Sequence, residues 1–207
     1  MTNANSNFIS TRSLVPQHLL SDFIYIDTNV LIDLYNQTAP HSPYSSLAIR
    51  YNEINRFINL IKSEDKMLLY SQHNIDEFYS KYTRTLQYQF KLQNNLENIK
   101  DIPTSQNVLI NSQAKREISS FEKQVLGNFT EKITYSNRFV DTKQYEISEQ
   151  TGLCLPDAKH IAIAEEQGIK SIFTNDDDFV SAQGINIYGG TPGIHNNSLN
   201  NTITHLY

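Results

Sequence analysis

Apolar residues fall into two kinds of grouping along this chain. Short unbroken runs occur at Phe23–Ile26, at Met67–Ser71, inside SIFTN (171–175) and inside INIYG (185–189). Runs of this length, rich in Ile, Phe and Tyr and closed by polar residues, predict strands buried on both faces. Elsewhere the apolar positions recur every three or four residues. Val30, Leu31, Leu34 and Tyr35 form one such stripe, and Ile54, Phe57, Ile58 and Ile61 a second. A third runs from about Ile75 through Phe78 and Tyr82, and a fourth through Ile161, Ala162 and Ala164. Each predicts an amphipathic helix. The last opens at Pro156, a residue favoured in a first turn, and closes at Gly168. Strands alternating with helices predict an α/β domain with a mostly parallel sheet of four to five strands.

Between 83 and 148 the pattern is helical and polar, broken near Ile102–Pro103. Leu86, Phe90, Leu92 and Leu96 mark one limb, and Ile118, Phe121, Val125 and Phe129 the other. This predicts a helical insertion within a domain spanning 22–190. Residues 1–21 read as a flexible lead-in, 40–46 as a turn-rich loop, and 191–207 as a loosely ordered tail. Ile185–Gly189 reads as an edge strand.

Composition narrows the classes. At 207 residues and 39% hydrophobic content the chain suits one domain with an elaboration. Its net charge of −5 gives no overall basic field for nucleic acid. A single cysteine, Cys154, excludes a disulfide framework and a multi-cysteine zinc site, and reads as a small buried hydrophobe. The polar N-terminus has no signal-peptide core, and no apolar run is long enough to cross a membrane. A soluble, cytoplasmic chain is expected.

Four acids share one setting. Asp27 follows FIYI, Asp176 follows SIFTN, Glu77 lies six residues beyond MLLYS, and Asp157 sits in the first turn after Pro156. Ligands of an open α/β sheet collect at the carboxyl ends of its strands. Each acid has a plainer role: Asp27, Glu77 and Asp157 could cap or complement helix N-termini. Thr28 or Asn29 could also cap the first helix. Three successive aspartates, Asp176, Asp177 and Asp178, are harder to reconcile with a simple turn. Asp176 is nearest the strand end, Asp178 is an additional candidate, Asp177 is expected to face solvent, and Phe179 to anchor the loop. Asp33 reads as a solvated helix residue, and Asp76 as the rival of Glu77. His160 shares the face of Asp157, either at the helix surface or as a ligand. Like charges about 4 Å apart repel by about 4 kcal/mol near a protein surface, so four carboxylates together call for a cation. Mg²⁺ or Mn²⁺ suits oxygen donors, and the matching chemistry is phosphodiester hydrolysis.

The order FIYIDTNVLI, a glutamate on the helix after the second strand, LPDAKHIAIA and IFTNDDDF resembles the PIN-domain nucleases, including the VapC-type toxins of toxin–antitoxin pairs. The likeness covers roughly 23–82 and 152–190. It implies a Rossmann-like three-layer domain and Mg²⁺- or Mn²⁺-dependent endoribonuclease activity on single-stranded RNA, with a homodimer and an antitoxin protein as partners. Asp27, Glu77, Asp157 and Asp176 would be its catalytic, metal-binding acids, with Asp178 an additional acid and Asn29 and Thr174 polar supports. The RNA-binding residues are not implied. Lys81, Arg84, Lys91, Lys115, Arg116, Lys123 and Lys132 could line an RNA approach or be solvated surface, and Tyr82 and Tyr88 could stack on bases or pack.

Other functions compete: an RNA-processing nuclease without an antitoxin, or an RNA- or protein-binding module without catalysis. Loss of acids marks the binding module, and here all four are present. A phosphatase using Asp27 as nucleophile would want a second aspartate at position 29, which is Asn29.

Overall fold

The computed structural model describes residues 6–37 and 46–204, with side chains described as far as 200. The loop expected at 40–46 lies outside the described residues apart from Ser46, as do 205–207 of the tail. The strands are β1 (Asn7–Ser10), β2 (Phe23–Ile26), β3 (Met67–Ser71), β4 (Thr130–Ile133), β5 (Ser171–Phe173) and β6 (Asn186–Gly189). They form one six-stranded sheet in the order β1-β6-β5-β2-β3-β4, each pairing parallel. The helices are α1 (Thr28–Asn36), α2 (Ser46–Ser63), α3 (Gln72–Gln93), α4 (Thr104–Gln124), α5 (Asn137–Thr151), α6 (Leu155–Glu166) and α7 (Pro192–Thr204).

The sheet has six strands rather than four to five, because both edges come from segments without an apolar run. β1 lies in the lead-in, where Val15 and Leu20 are also buried, so its described residues 6–21 are docked on the domain rather than loose. β4, with the sequence TEKI, pairs with β3 inside the stretch expected to be helical. Residues 83–148 are still mostly helix, but α4 sends Ile118 and Phe121 into the main core. β1 covers β6, so β6 is interior rather than an edge. Residues 192–204 of the tail form α7, whose Ile194 is buried.

The pleat of the central strands divides the interior into two cores. Ile24, Ile26, Leu68, Tyr70, Phe173 and Tyr188 face α1, α2, α3 and α4. Their alternates Tyr25, Leu69, Ile172 and Ile187 face α5 and α6. This makes three layers with both faces of the sheet covered. Among the described residues, no helix is long and apolar enough to cross a membrane.

The strand order reverses between β2 and β5. From β2 the chain moves to β3 on one side, and β5 returns on the other. The ends of β2 and β5 therefore flank a crevice, the place where open α/β sheets take ligands.

Candidate active site

Asp27 is the first residue beyond β2 and Asp176 lies three beyond Phe173, so the reversal puts one acid on each lip of the crevice. The Asp27 N–H donates to the Phe173 carbonyl at 2.9 Å, joining the two lips directly. Asp27 occupies the position before α1, yet its side chain caps nothing, and Thr28 and Asn29 lie inside the helix rather than capping it. Its Oδ2 instead accepts from the Thr174 hydroxyl at 2.8 Å. Its Oδ1 lies 3.4 Å from His160 Nε2. The residue is 2% exposed.

Thr174 and Asn29 are the supports of this arrangement. The buried Thr174 hydroxyl also accepts from the Asp176 N–H at 3.0 Å, so one side chain orients both lips. Asn29 Nδ2 donates to Asp176 Oδ2 at 3.1 Å, and Asn29 Oδ1 accepts from Lys81 Nζ at 3.0 Å. The other Asp176 oxygen accepts from the Asp178 N–H at 3.0 Å. Asp178 contributes that backbone bond while its side chain is exposed. Asp177 is not simply solvated: its Oδ1 accepts from the Gly193 N–H at 3.0 Å and from the Thr191 hydroxyl, at the start of α7.

Glu77 and Asp76 differ in helix phase. Asp76 is exposed and accepts from Gln72 Nε2 at 2.8 Å. Glu77 turns inward, with Oε1 2.7 Å from Lys81 Nζ and Oε2 3.0 Å from His160 Nε2. Asp157, in the first turn of α6, accepts from the Cys154 thiol at 2.9 Å. Cys154 is exposed rather than a buried hydrophobe, and its thiol braces one of the acids.

The carboxylates feel one another. Burial, partly offset by His160 and Thr174, raises Asp27 above the ordinary aspartate value, and the charges of Glu77 and Asp157 add to the rise. Burial likewise raises Asp157; the Cys154 thiol and His160 oppose it, while the charges of Asp176 and Glu77 add to it. For Glu77, burial opposes ionisation, but bonds from His160, Lys81 and Thr28 outweigh it and hold the carboxyl well below the usual range. Burial works against the Lys81 ammonium too, and the bond to Glu77 with the charges of Asp27 and Asp157 more than restores it. Burial and the neighbouring His160 bring His73 down to about 4.

Several of these residues escape a sequence pattern. His160, one of whose readings placed it at a helix surface, is fully buried and set between Asp27 and Glu77. Asn74 is buried as well: its Oδ1 accepts from the Ser71 N–H and the Tyr25 hydroxyl, and its Nδ2 donates to the Ile26 carbonyl. It thereby ties the end of β2 to that of β3 through a Ser-x-x-Asn capping box, a local spacing by which the sequence could have revealed it. Lys81, four residues after Glu77, carried the helical-pair signal. Asp33 is 5% exposed and paired with Arg50 at 2.5 Å, not solvated. Tyr82 packs against the main core and donates to Glu117, whereas Tyr88 is exposed beside Lys91.

A sequence model of the PIN domain matches residues 24–185, a span that includes all four acids and every one of their supports. The chain belongs to the PIN domain family. Members of this family are generally nucleases. Two solved structures are similar to it in fold. One is VapBC2 from Rickettsia felis bound to a DNA fragment from its promoter, with 12% identity and a TM-score of 0.48, covering 81% of this chain and 98% of that one. The other is FitAcB from Neisseria gonorrhoeae, with 13% identity and a TM-score of 0.42, covering 80% and 96%. No curated protein sequence matches the chain.

The donor set suits a hard divalent cation. It offers carboxylate oxygens from Asp27, Glu77, Asp157 and Asp176, two of them raised by burial. The cationic neighbour that Glu77 meets is Lys81.

Proposed function

We propose that this PIN domain is a divalent-metal-dependent endoribonuclease that hydrolyses phosphodiester bonds of single-stranded RNA. The observation that carries this reading is the convergence of Asp27, Glu77, Asp157 and Asp176 on the crevice between β2 and β5, with Thr174 linking Asp27 to Asp176. Those four acids would hold Mg²⁺ or Mn²⁺. When bound, such an ion supplies an activated water and neutralises charge on the phosphate.

The chain's own residues set the geometry for this. Thr174 engages Asp27 Oδ2. Asn29 and the Asp178 N–H fix both oxygens of Asp176, so its orientation costs no reorganisation during turnover. His160 and Lys81 hold the two oxygens of Glu77. The Lys81 ammonium also places a positive charge beside Asn29, where it can face a substrate phosphate. An antitoxin and a second copy of the chain are the partners that the resemblance to VapC-type toxins adds to this reading.

The test is incubation of the purified protein with a total-RNA pool and Mn²⁺, with EDTA as control, followed by sequencing of new ends. The account expects EDTA-sensitive cleavage that Asp27→Asn and Asp176→Asn abolish while the fold survives. Undiminished cleavage by both variants overturns it. Preferential cleavage of a DNA oligonucleotide overturns the RNA assignment alone.

A further inference from the structure

Beside the acid crevice stands a cluster of different chemistry. His73 and Glu77 are one helical turn apart on the same face of α3, and His160 faces them from α6. One ligand atom from each lies within 4.8 Å of the others. The rings of His73 and His160 have their centroids 4.7 Å apart.

His160 Nε2 is hydrogen-bonded to Glu77 Oε2 at 3.0 Å with the Thr28 hydroxyl 3.2 Å away, so a cation there would take the place of its proton. His160 Nδ1 lies 3.3 Å from the Tyr25 hydroxyl, which donates to Asn74 Oδ1 at 2.7 Å and also meets Ser71 Oγ at 2.7 Å. His160 Nε2 points between Glu77 Oε2 at 3.0 Å and Asp27 Oδ1 at 3.4 Å. The proton on Nε2 that bonds Glu77 occupies the position a bound cation would take between the ring and the carboxylates. His73 Nε2 reaches the Pro156 carbonyl at 3.4 Å, which assigns that nitrogen as the donor and leaves Nδ1 with its lone pair. Ligating histidines are typically held in this way, by a bond from the second ring nitrogen to a carbonyl or other fixed acceptor.

We propose that His73, Glu77 and His160 form a second cation site, selective for Zn²⁺ and similar nitrogen-preferring ions, whose occupation switches the nuclease off by withdrawing Glu77 from the acid crevice. Imidazole ligands favour Zn²⁺, Co²⁺ and Ni²⁺, whereas Mg²⁺ keeps to oxygen. Two histidines and a carboxylate with a fourth position left to water are an open zinc set. Bonds of about 2.0–2.1 Å place tetrahedral ligand atoms roughly 3.4 Å apart, so the cluster closes by small side-chain adjustments. His73 is partly exposed and gives an ion a way in, while His160 is buried. Binding of the ion rests on the cluster alone, and its inhibitory effect rests on the function proposed above.

The experiment titrates metal-stripped protein with Zn²⁺ against a chromophoric chelator, and with Co²⁺ as a spectroscopic probe. One Zn²⁺ per chain is expected, with affinity at least about tenfold weaker in His73→Ala and His73→Gln, since loss of one ligand or its support costs that much. Cys154→Ser, which removes the other candidate soft ligand, is expected to leave binding unchanged. Wild-type affinity in both His73 variants, or loss of binding in Cys154→Ser, overturns the site. In the second arm Zn²⁺ is added to the Mn²⁺-dependent cleavage assay. Zn²⁺ is expected to inhibit the wild type and to spare His73→Ala; equal inhibition of both overturns the switch. A protein that binds Zn²⁺ through His73 but cleaves no RNA refutes the nuclease reading and leaves the site standing.

Discussion

Two buried aspartates, Asp27 just before α1 and Asp33 within it, have opposite fates. They are 2% and 5% exposed, and burial raises both above the ordinary value. Asp33 owns a counter-charge: Arg50 lies 2.5 Å from Oδ1, and Asn175 Nδ2 donates to Oδ2 at 2.9 Å. Asp27 has a hydroxyl, a histidine nitrogen and the charges of Glu77 and Asp157 around it. A buried carboxylate with its own guanidinium is a structural clamp, here joining α1 to α2 and to the loop after β5. One surrounded by more carboxylates is, in the function proposed above, an incomplete site whose charge a bound cation would neutralise.

The largest effect that can break this comparison is on cleavage. Asp27→Asn is expected to lose roughly 10³-fold in kcat, the scale for removing a group that stabilises developing charge, while folded Asp33→Ala stays within about threefold. Steady-state rates on one RNA substrate decide it. Next comes stability, where the two positions should move in opposite directions. Asp33→Ala strands Arg50, which is partly solvated, and is expected to cost about 1–2 kcal/mol. Asp27→Asn removes a charge that burial penalises and is expected to raise the melting temperature of the metal-free protein, by about 2–4 °C for each kcal/mol gained. Thermal unfolding in EDTA reads both.

A smaller effect concerns pH. A carboxyl raised on folding binds its proton more readily in the folded state, so stability falls as pH rises from about 4 through the raised values of Asp27 and Asp157. Glu77 runs the other way, contributing stability above the ordinary carboxylate value that is lost as pH falls. Because Asp27 and Asp157 take up protons first on acidification, Mn²⁺ affinity is expected to decline at a higher pH than ordinary aspartates would give. Mn²⁺ titrations between pH 4.5 and 7 check the sign, and Asp33→Ala is expected not to change it. Smallest is Thr174→Val, which deletes one hydroxyl bond to Asp27 and one from the Asp176 N–H. It is expected to cost about 1–2 kcal/mol in stability and to weaken Mn²⁺ binding without abolishing it.

The legible part of the chain was the part buried on both faces. β2, β3, β5 and β6 are apolar runs, and the acids at their ends stood out because a charge beside such a run is costly. β1 and β4 were illegible because an edge strand needs no apolar run; NFIS and TEKI carry too little pattern to register. The sequence left Asp76 as the rival of Glu77; in α3 it is Glu77 that turns inward and Asp76 that is exposed. Asp33 was misjudged and His160 left undecided for a common reason. Their partners, Arg50 for one and Asp27 with Glu77 for the other, are distant in sequence, and no local spacing reveals such contacts. Cys154 was read by its residue type, whereas its bond to Asp157 depends on where α6 begins.

Calorimetric titration of metal-stripped protein with Mn²⁺ tests most directly the claim that Asp27 waits for a cation and Asp33 does not. Wild type and Asp33→Ala are predicted to bind Mn²⁺ with similar affinity, and Asp27→Asn and Asp176→Asn to give no binding heat over the same range. Wild-type affinity in Asp27→Asn, or loss of binding in folded Asp33→Ala, would contradict the account.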